Sequence, residues 1–467
     1  MDPANALPPK RQKLLLAAVI SGLLLAMLDQ TIVGTALPAI VRHLDGASLY
    51  VWVVTAYLVT ATVSLPVYAR LSDRFGRKHL LLTGMGLFLV GSALSAAAQS
   101  MPELVAFRAL QGLGAGALEG LSFILVADLF AGRRNAALQG MLAGLMGLSF
   151  IAGPLIGGFL ADHVGWRWVF LVNLPIGAVA LATLATVLPA HIGRSAASAK
   201  LDLAGIALLT LGVGLVLVGL TQHATVGAWL DVRTGGLTIS GILLLMAFVQ
   251  VERQASFPIV PMSLFQDRRT AALLAAGATG AFGLYAGVFL LPRYFQGVRD
   301  VSATHSGLLI YPLLIGLIIG VNLAATAIVR RSEYRAPILF GLASLALGAL
   351  GFATFDADTP DWQSLLFMGL MGLGVGPTFS GLQIAVQRTV TPAQIGGAMG
   401  TLLLLRQVGG SFALAGAETI YASGSDPATA TGSGVFIIAL AGAALSAAAL
   451  LTIPRRATRI APIPSPA

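Results

Sequence analysis

Ionisable side chains stand inside long apolar stretches of this sequence, where they could bind and release a proton. Residues 22–40 read "GLLLAMLDQTIVGTALPAI", with Asp29 about fifteen residues into its apolar run and hence near mid-membrane if the run is a spanning helix. A carboxylate facing a partly dry cavity holds a proton, and it releases that proton when water or a cation reaches it. Because ionised groups are costly in hydrocarbon, they mark transport pathways by default. We therefore predict that Asp29 carries protons.

Four further ionisable residues lie inside predicted spans at various depths, and the set is Arg108, Glu119, Arg406 and Glu418. We predict that they also serve proton coupling. One alternative for Asp29 and Arg406 is a static Asp–Arg pair that pins helices together. The alternative for Arg108 is a side chain that reaches the headgroups. Three embedded acids against two embedded bases give a weak preference for cationic solutes.

The elements that must position these groups are membrane helices. The 467 residues are 57% hydrophobic and only 10% charged, whereas soluble domains carry about 25% charged residues. Apolar runs of about 20 residues cross a bilayer. Fourteen such runs are predicted, near 14–41, 49–70, 79–98, 103–128, 136–161, 167–189, 203–222, 235–252, 270–293, 305–329, 336–355, 362–385, 395–420 and 432–453.

The basic residues are distributed unevenly between the loops on the two sides of the predicted membrane spans. Lys and Arg concentrate in the N-terminal segment and in every second loop, while the opposite loops hold Arg42, Arg167, Arg233, Arg293 and Arg299. The positive-inside rule then places both termini in the cytoplasm of a cell (inner) membrane protein. The net charge of +9 reflects topology and lipid contact, so no nucleic-acid partner is expected.

Several chemistries have no support in the sequence. No segment between the spans is long enough to bury a core, so an extramembrane active site is not expected and the chain is not predicted to be an enzyme. Cys is absent and the six His show no ligand spacing, so no metal site is expected. There is no phosphate-binding loop, so we expect no cofactor and a proton gradient as the energy source.

A loop motif carries the first resemblance to a known family. Residues 69–81 read "ARLSDRFGRKHLL", and Gly76 permits a tight reversal between two helices. The motif is similar to the signature of the major facilitator superfamily, with Ala69 in place of its first glycine. We predict a cytoplasmic gate in which Asp128 pairs with Arg74 or Arg77. A solvated Asp128 is the alternative. The predicted gate residues are Asp73, Arg74, Gly76, Arg77 and Asp128.

Three further stretches resemble the fourteen-span drug:proton antiporter branch of that family. They are "LVAFRALQGLGAG" (104–116), "GPLIGG" (153–158), and "LDQTIVGTALP" (28–38) taken with "WRWVFLVNLP" (166–175). The resemblance implies antiport and a role for Arg108 in proton coupling. Gln111, one turn further on, would share the face of Arg108.

The "GPLIGG" stretch also has a direct physical interpretation. Pro154 removes a backbone donor and loosens its helix, while Gly153, Gly157 and Gly158 let another helix approach closely. Ordinary close packing is the alternative to a role in switching. The resemblance makes these four residues the antiporter motif.

The predicted fold class is an all-α integral membrane protein with the major-facilitator fold. Two six-helix halves, 1–190 and 270–467, flank a pair of inserted helices within 191–269. The inserted spans carry no interior ionisable group, so we predict that they lie outside the transport path.

The predicted function is proton-coupled efflux by alternating access, with amphipathic, cationic drug-like compounds as cargo and antibiotic resistance as a consequence. The alternative cargo is a lipid or a dedicated metabolite. Import or uniport is disfavoured by the "GPLIGG" resemblance. The expected partners are a small amphipathic substrate, protons and membrane lipids, and a monomer is expected. The predicted cavity comprises Asp29, Tyr57, Gln111, Glu119, Tyr285, Phe379 and Arg406.

Overall fold

A computed structural model gives the fold of the chain. It describes residues 8–129, 149, 152–189, 202–226, 231–255, 258–356, 358–391 and 394–454. Within these ranges there is no β-strand, and nearly all residues lie in helices. The predicted all-α class is confirmed.

The helices of the first part of the chain follow the predicted apolar runs. They are α1 (Pro9–Leu44), α2 (Tyr50–Phe75), α3 (Arg77–Ala97), α4 (Met101–Leu129), α5 (152–163), α6 (Trp168–Leu171), α7 (Asn173–Val187), α8 (Leu203–Val226) and α9 (Leu237–Gln254).

The remaining helices are α10 (Arg268–Thr279), α11 (Phe282–Gly297), α12 (Ala303–Leu309), α13 (Tyr311–Arg331), α14 (Arg335–Gly351), α15 (Asp361–Thr389), α16 (Ile395–Ser423) and α17 (Pro427–Leu451). Two predicted spans are each built from a helix pair, α10 with α11 and α12 with α13.

Thirteen helical segments among the described residues are long and apolar enough to cross a membrane. They correspond one to one with predicted spans, except that most of the predicted span 136–161 lies outside the described residues. One predicted boundary is wrong. The ninth span was expected to end at residue 293 with Arg293 in a loop, but α11 continues to Gly297. Arg293 therefore lies inside a helix.

The chain divides into two compact units. The first unit contains residues 1–210 and 302–308, and the second contains 211–301 and 309–467. In the first unit α4 packs against α1, α2 and α3, and α7 packs against α1 and α3. In the second, α15 packs against α13 and α14, and α16 packs against α10, α11 and α17. The predicted boundaries of the two six-helix halves and the inserted pair remain predictions.

The centre of the first unit depends on the small residues of the 104–116 stretch. A Cβ added to Gly112 would lie 2.2 Å from Thr60 Oγ1 and 2.4 Å from Tyr57 O. A Cβ added to Gly114 would lie 2.3 Å from Phe88 N. The missing side chains thus let α4 approach the backbones of α2 and α3 closely. This close approach positions Arg108 and Gln111, which stand on the same helix, against their neighbours.

Candidate functional site

Asp29 on α1 is the centre of a polar cluster in the first unit. Its side chain is fully buried, at 0% exposure. It accepts hydrogen bonds from Arg108 Nη1, from Gln111 Nε2 at 2.8 Å and from Asn173 Nδ2 at 3.0 Å. Arg108 and Asp29 form an ion pair. Residues of α1, α4 and α7 therefore converge on one carboxylate.

The two amide side chains of this cluster are oriented by their second contacts. Gln111 Oε1 accepts from Arg108 Nη1 at 2.8 Å, which leaves its nitrogen for Asp29. Asn173 Nδ2 also lies 3.0 Å from Ser92 Oγ, and Ser92 donates its own proton to Phe170 O at 2.9 Å. Ser92 must therefore accept from Asn173. Both amides are thereby fixed as donors to Asp29.

Arg108 is enclosed rather than directed to the headgroups. It is 1% exposed, its Nε donates to Val53 O at 3.2 Å, and its guanidinium carbon lies 4.2 Å from the centre of the Tyr57 ring. The Tyr57 hydroxyl donates to Ala26 O at 2.9 Å, and its ring is fully buried. The structure thus favours the embedded interpretation of Arg108 over the snorkelling one. Tyr57 lies against Arg108, as a wall of the cluster.

Glu119 lies on α4 farther from Arg108 and has a different partner. Its Oε1 accepts from Gln30 Nε2 at 2.7 Å, and its side chain is 1% exposed. Gln30 follows Asp29 directly in α1. The same pair of helices therefore presents two buried acids. One is bonded to Arg108 and the other to a neutral amide.

The antiporter-motif residues pack α5 against two neighbours in the first unit. A Cβ on Gly153 would lie 1.8 Å from Thr31 Oγ1, and one on Gly157 would lie 2.3 Å from Ile32 O. A Cβ on Gly158 would lie 2.4 Å from Ala303 O, at the start of α12. The motif is thus the surface on which α1 and α12 meet α5.

Pro154 takes part in the same contact through its carbonyl. Thr35 Oγ1 donates to Pro154 O at 3.2 Å, so a hydroxyl of α1 is hydrogen-bonded to the backbone of α5. Close packing at this motif is therefore observed, and its role in switching remains a prediction.

Of the predicted gate, only part is described. Gly76 has a φ of +91°, which a residue with a Cβ adopts at a cost, and it joins α2 directly to α3 as expected. Arg77 is buried and donates to Ser72 Oγ. The side chains of Asp73, Arg74 and Asp128 lie outside the described part of the structure, so the predicted Asp128 latch remains a prediction.

The second unit contains an ion pair that the sequence analysis missed. Arg293 Nη1 lies 3.1 Å from Glu418 Oε1 and 3.0 Å from Oε2, and its guanidinium carbon lies 3.8 Å from the centre of the Tyr421 ring. Arg293 adds a third base to the three acids and two bases on which the weak preference for cationic solutes depended. The excess of one acid in that set disappears, so the charges no longer support the preference.

Arg406 has a different environment from the other embedded bases. It is 4% exposed, its Nη2 approaches Thr378 O at 3.3 Å and Phe379 O at 3.5 Å, and its guanidinium carbon lies 4.1 Å from the centre of the Phe379 ring. Tyr285 is close by, because a Cβ on Gly410 would lie 2.5 Å from its ring. Three predicted cavity residues therefore converge within the second unit.

The residues of the sequence-predicted site thus fall into two groups, one in each compact unit. The first unit brings together Asp29, Tyr57, Arg108 and Gln111, with Glu119 on the same helix pair, and the second brings together Tyr285, Phe379 and Arg406. Glu418 is bonded to Arg293 and stands about 18 Å along α16 from Arg406. Sequence reasoning missed Asn173, Ser92 and Arg293. A signal for Asn173 was present, since it is a polar residue in the apolar stretch "WRWVFLVNLP".

Comparison with known proteins bears on this arrangement of helices and embedded charges. The family described as Major Facilitator Superfamily matches residues 19–414. The chain belongs to the major facilitator superfamily. It is a multi-pass membrane transporter and not an enzyme, as the sequence predicted.

The chain is similar to two bacterial proteins that are named for multidrug transport or multidrug resistance. The chain is 34% identical over 400 residues to the multidrug transporter protein MdtP of Bacillus subtilis, a match that covers 85% of this chain and 73% of the relative. It is 33% identical over 402 residues to multidrug resistance protein 3 of the same organism, covering 85% of this chain and 77% of the relative.

Solved structures support the superfamily fold. The chain superposes on a partially occluded inward-open conformation of the xylose transporter XylE from E. coli with a TM-score of 0.61. The match covers 93% of this chain and 96% of that one at 15% identity, a level that shows the fold alone.

Proposed function

We propose that this protein is a proton-coupled antiporter that exports amphipathic drug-like compounds by alternating access. The observation that carries the proposal is the environment of Asp29. A fully buried carboxylate accepts hydrogen bonds from Arg108, Gln111 and Asn173, and both amides are held as donors. Such a group is a reversible proton site whose occupancy changes the contacts among three helices.

The ionised form of Asp29 suits this arrangement. Hydrogen-bond donors and a guanidinium stabilise the ionised carboxylate, but they provide no acceptor for the proton of a neutral carboxyl. Uptake of a proton cancels the attraction to Arg108 and turns one oxygen into a donor that faces other donors. Protonation therefore favours a second arrangement in which α1 has separated from α4 or α7. Loss of the proton restores the arrangement described above.

The energy available is sufficient for export. Moving one charge across 100 mV is worth about 2.3 kcal/mol, and a pH gradient adds to this. If Asp29 takes a proton from the outside and releases it to the cytoplasm, each cycle can return the protein to its starting shape against a solute gradient. The multidrug names of the two bacterial relatives support drug-like cargo. No oxidation–reduction or bound cofactor is required by this scheme.

Gradient-driven efflux from proteoliposomes tests the proposal. The purified chain is reconstituted with a fluorescent amphipathic cation and, separately, a neutral amphiphile, and an imposed pH gradient starts the reaction. We expect wild-type efflux of at least one probe to rise several-fold with the gradient. The Asp29→Asn variant should keep downhill exchange and lose the dependence on the gradient.

The matched control is Asp361→Asn, which removes a carboxylate that is half exposed and paired with Arg299. This variant should behave as wild type. Undiminished gradient-driven efflux by Asp29→Asn would remove Asp29 from the coupling role. Equal efflux with and without a gradient in the wild type would reject antiport itself.

We further propose that both termini face the cytoplasm of the cell (inner) membrane and that the protein works as a monomer. Because the native chain has no Cys, single cysteines report topology cleanly. A cysteine at Ser332 should resist an impermeant thiol reagent in intact cells, and one at Gln99 should react. The opposite pattern would reverse the orientation, and a dimer mass in light scattering would reject the monomer.

A further inference from the structure

Among the residues of the second unit that the structure describes, the buried cation Arg406 has no counter-ion. It stands on α16 about 16 Å from the helix start, in the middle third of a 29-residue helix. Among the described residues of this unit, no carboxylate lies within ion-pair distance of its guanidinium. Glu418, the acid on the same helix, is bonded to Arg293.

The hydrogen bonds of Arg406 leave most of its donors unused. Guanidinium carries five N–H donors. The two carbonyl contacts, at 3.3 Å and 3.5 Å, both involve Nη2. Within the part of the chain that the structure describes, Nε and Nη1 have no hydrogen-bond acceptor. The carbonyl contacts are also long, since N–H···O bonds usually span 2.7–3.2 Å.

In the described part of the second unit, the surroundings of Arg406 provide apolar contact but no negative charge. Phe379 stacks on the guanidinium at 4.1 Å, and Tyr285 packs against the next turn of α16 at Gly410. A buried charge without an opposite charge is costly, and the cost is removed when a partner arrives. The fork of N–H groups matches the geometry of a carboxylate, sulfonate or phosphate.

We propose that Arg406 binds the acidic group of an amphiphile, with the aromatic rings of Phe379 and Tyr285 holding the adjoining apolar part. This inference rests on the proposed function, because it names a substrate class for the same transporter. A site for acidic groups differs from the preference for cationic compounds that the sequence predicted. Compounds with an anionic or zwitterionic headgroup and an aromatic body are the predicted ligands.

Equilibrium dialysis against three matched naphthalenes tests the proposal. The full chain is placed in nanodiscs of neutral phosphatidylcholine, and empty nanodiscs correct for partition. The probes are 2-naphthoate, the neutral 2-naphthamide and 2-naphthyl-trimethylammonium. We expect the wild type to bind 2-naphthoate about tenfold or more tightly than 2-naphthamide, as one charge-assisted hydrogen-bonded contact provides. If the wild type binds 2-naphthoate and 2-naphthamide with equal affinity, that measurement alone overturns the proposal.

Variants then assign the preference to one side chain. Arg406→Gln should weaken 2-naphthoate about tenfold or more and leave the other two probes within about twofold. Arg406→Lys should retain an intermediate affinity, because it keeps the charge and loses the fork. Arg299→Gln removes an equal charge from a partly exposed pair with Asp361 and should change nothing. Equal loss of all three probes in a folded Arg406→Gln would indicate a packing role and reject the proposal.

A further arm separates related possibilities. Replacing part of the phosphatidylcholine by phosphatidylglycerol shows whether the acidic group belongs to a lipid. A fall in 2-naphthoate affinity that depends on Arg406 identifies a lipid headgroup, and no change identifies a soluble acid. The dialysis is carried out without a gradient, so the wild-type preference for 2-naphthoate is tested independently of gradient-driven efflux. Failure of proton coupling is thereby distinguished from failure of anion recognition.

Discussion

The side-chain nitrogen of Asn173 lies 3.0 Å from the hydroxyl oxygen of Ser92, and this contact fixes which end of the amide faces Asp29. The Ser92 proton is used by Phe170 O, so Ser92 can only accept from Asn173. Loss of the Ser92 hydroxyl would leave the amide nitrogen held by Asp29 alone. A serine that does not touch Asp29 thus helps to hold one of its hydrogen-bond donors in place.

The first prediction follows from this contact. Ser92→Ala should lower gradient-driven efflux several-fold and leave downhill exchange close to that of the wild type, because the Asn173 donor to Asp29 is held less rigidly. The measurement is efflux from proteoliposomes with and without an imposed pH gradient. Ser344→Ala is the control, since Ser344 also donates to a backbone carbonyl at 2.9 Å but lies in the second unit. An equal loss of gradient-driven efflux and of downhill exchange would contradict the positioning role.

The second prediction concerns the stability of the Asp29–Arg108 pair. Arg108→Gln should lower the free energy of unfolding by about 3–5 kcal/mol, because it leaves a buried carboxylate without its cation. The double variant Asp29→Asn with Arg108→Gln should be more stable than Arg108→Gln alone. Denaturant unfolding in mild detergent measures both. The same cycle on the partly exposed Arg299–Asp361 pair should give a coupling of at most about 1 kcal/mol.

The third prediction concerns the close approach at the "GPLIGG" stretch. Gly157→Ala should reduce both unfolding temperature and efflux, because the new Cβ would lie 2.3 Å from the backbone oxygen of Ile32. The control is Gly86→Ala in α3, where no atom lies within 4 Å of an added Cβ. Unfolding temperature and efflux rate are measured for both. Equal behaviour of the two variants would show that α5 does not need this approach to α1.

The fourth prediction concerns Asp162 at the end of α5. Burial raises the pKa of Asp162, but hydrogen bonds from Thr304, Ala303 and Ser302 outweigh burial and place that pKa below its ordinary value. The carboxylate accepts from Ala303 N at 3.0 Å and from Thr304 N at 2.6 Å, so it caps α12 from another helix. A carboxyl with a lowered pKa stabilises the fold above its ordinary value and loses that effect as the pH falls through the folded pKa.

Asp162→Ala should therefore destabilise the protein by about 1 kcal/mol at neutral pH, the usual cost of a lost cap. The difference from wild type should shrink as the pH falls below about 4. Thermal unfolding of both proteins across this range is the measurement. A difference that is constant with pH would show that the cap does not depend on the charge.

Much of this fold could be predicted from the sequence because spanning length and charge position are local properties. The apolar runs gave the helices, and Gly76 gave the reversal between α2 and α3. The partners of embedded charges could not be predicted in the same way. In an apolar helix nearly every face is hydrophobic, so the pattern does not show which face meets which neighbour. Hence Asp29 and Arg108 were both identified, while their pairing was not.

The case of Arg293 shows a second limit. A charge near the end of an apolar run is compatible with a loop or with another helical turn, and boundaries are uncertain by a few residues. Here the helix continues, and Glu418 and the Tyr421 ring of α16 contact the Arg293 guanidinium within it. Only the neighbouring helix determines this outcome, and it lies more than a hundred positions away in sequence.

Helix α1 serves two contacts on opposite sides of its axis. Asp29 faces α4 and α7, whereas Thr31, two positions on and about 200° around the helix, meets Gly153 of α5. A rigid rod that turns or shifts at one of these surfaces must shift at the other. The proposed protonation of Asp29 is thereby linked mechanically to the seam that Gly153 and Gly157 form with α1.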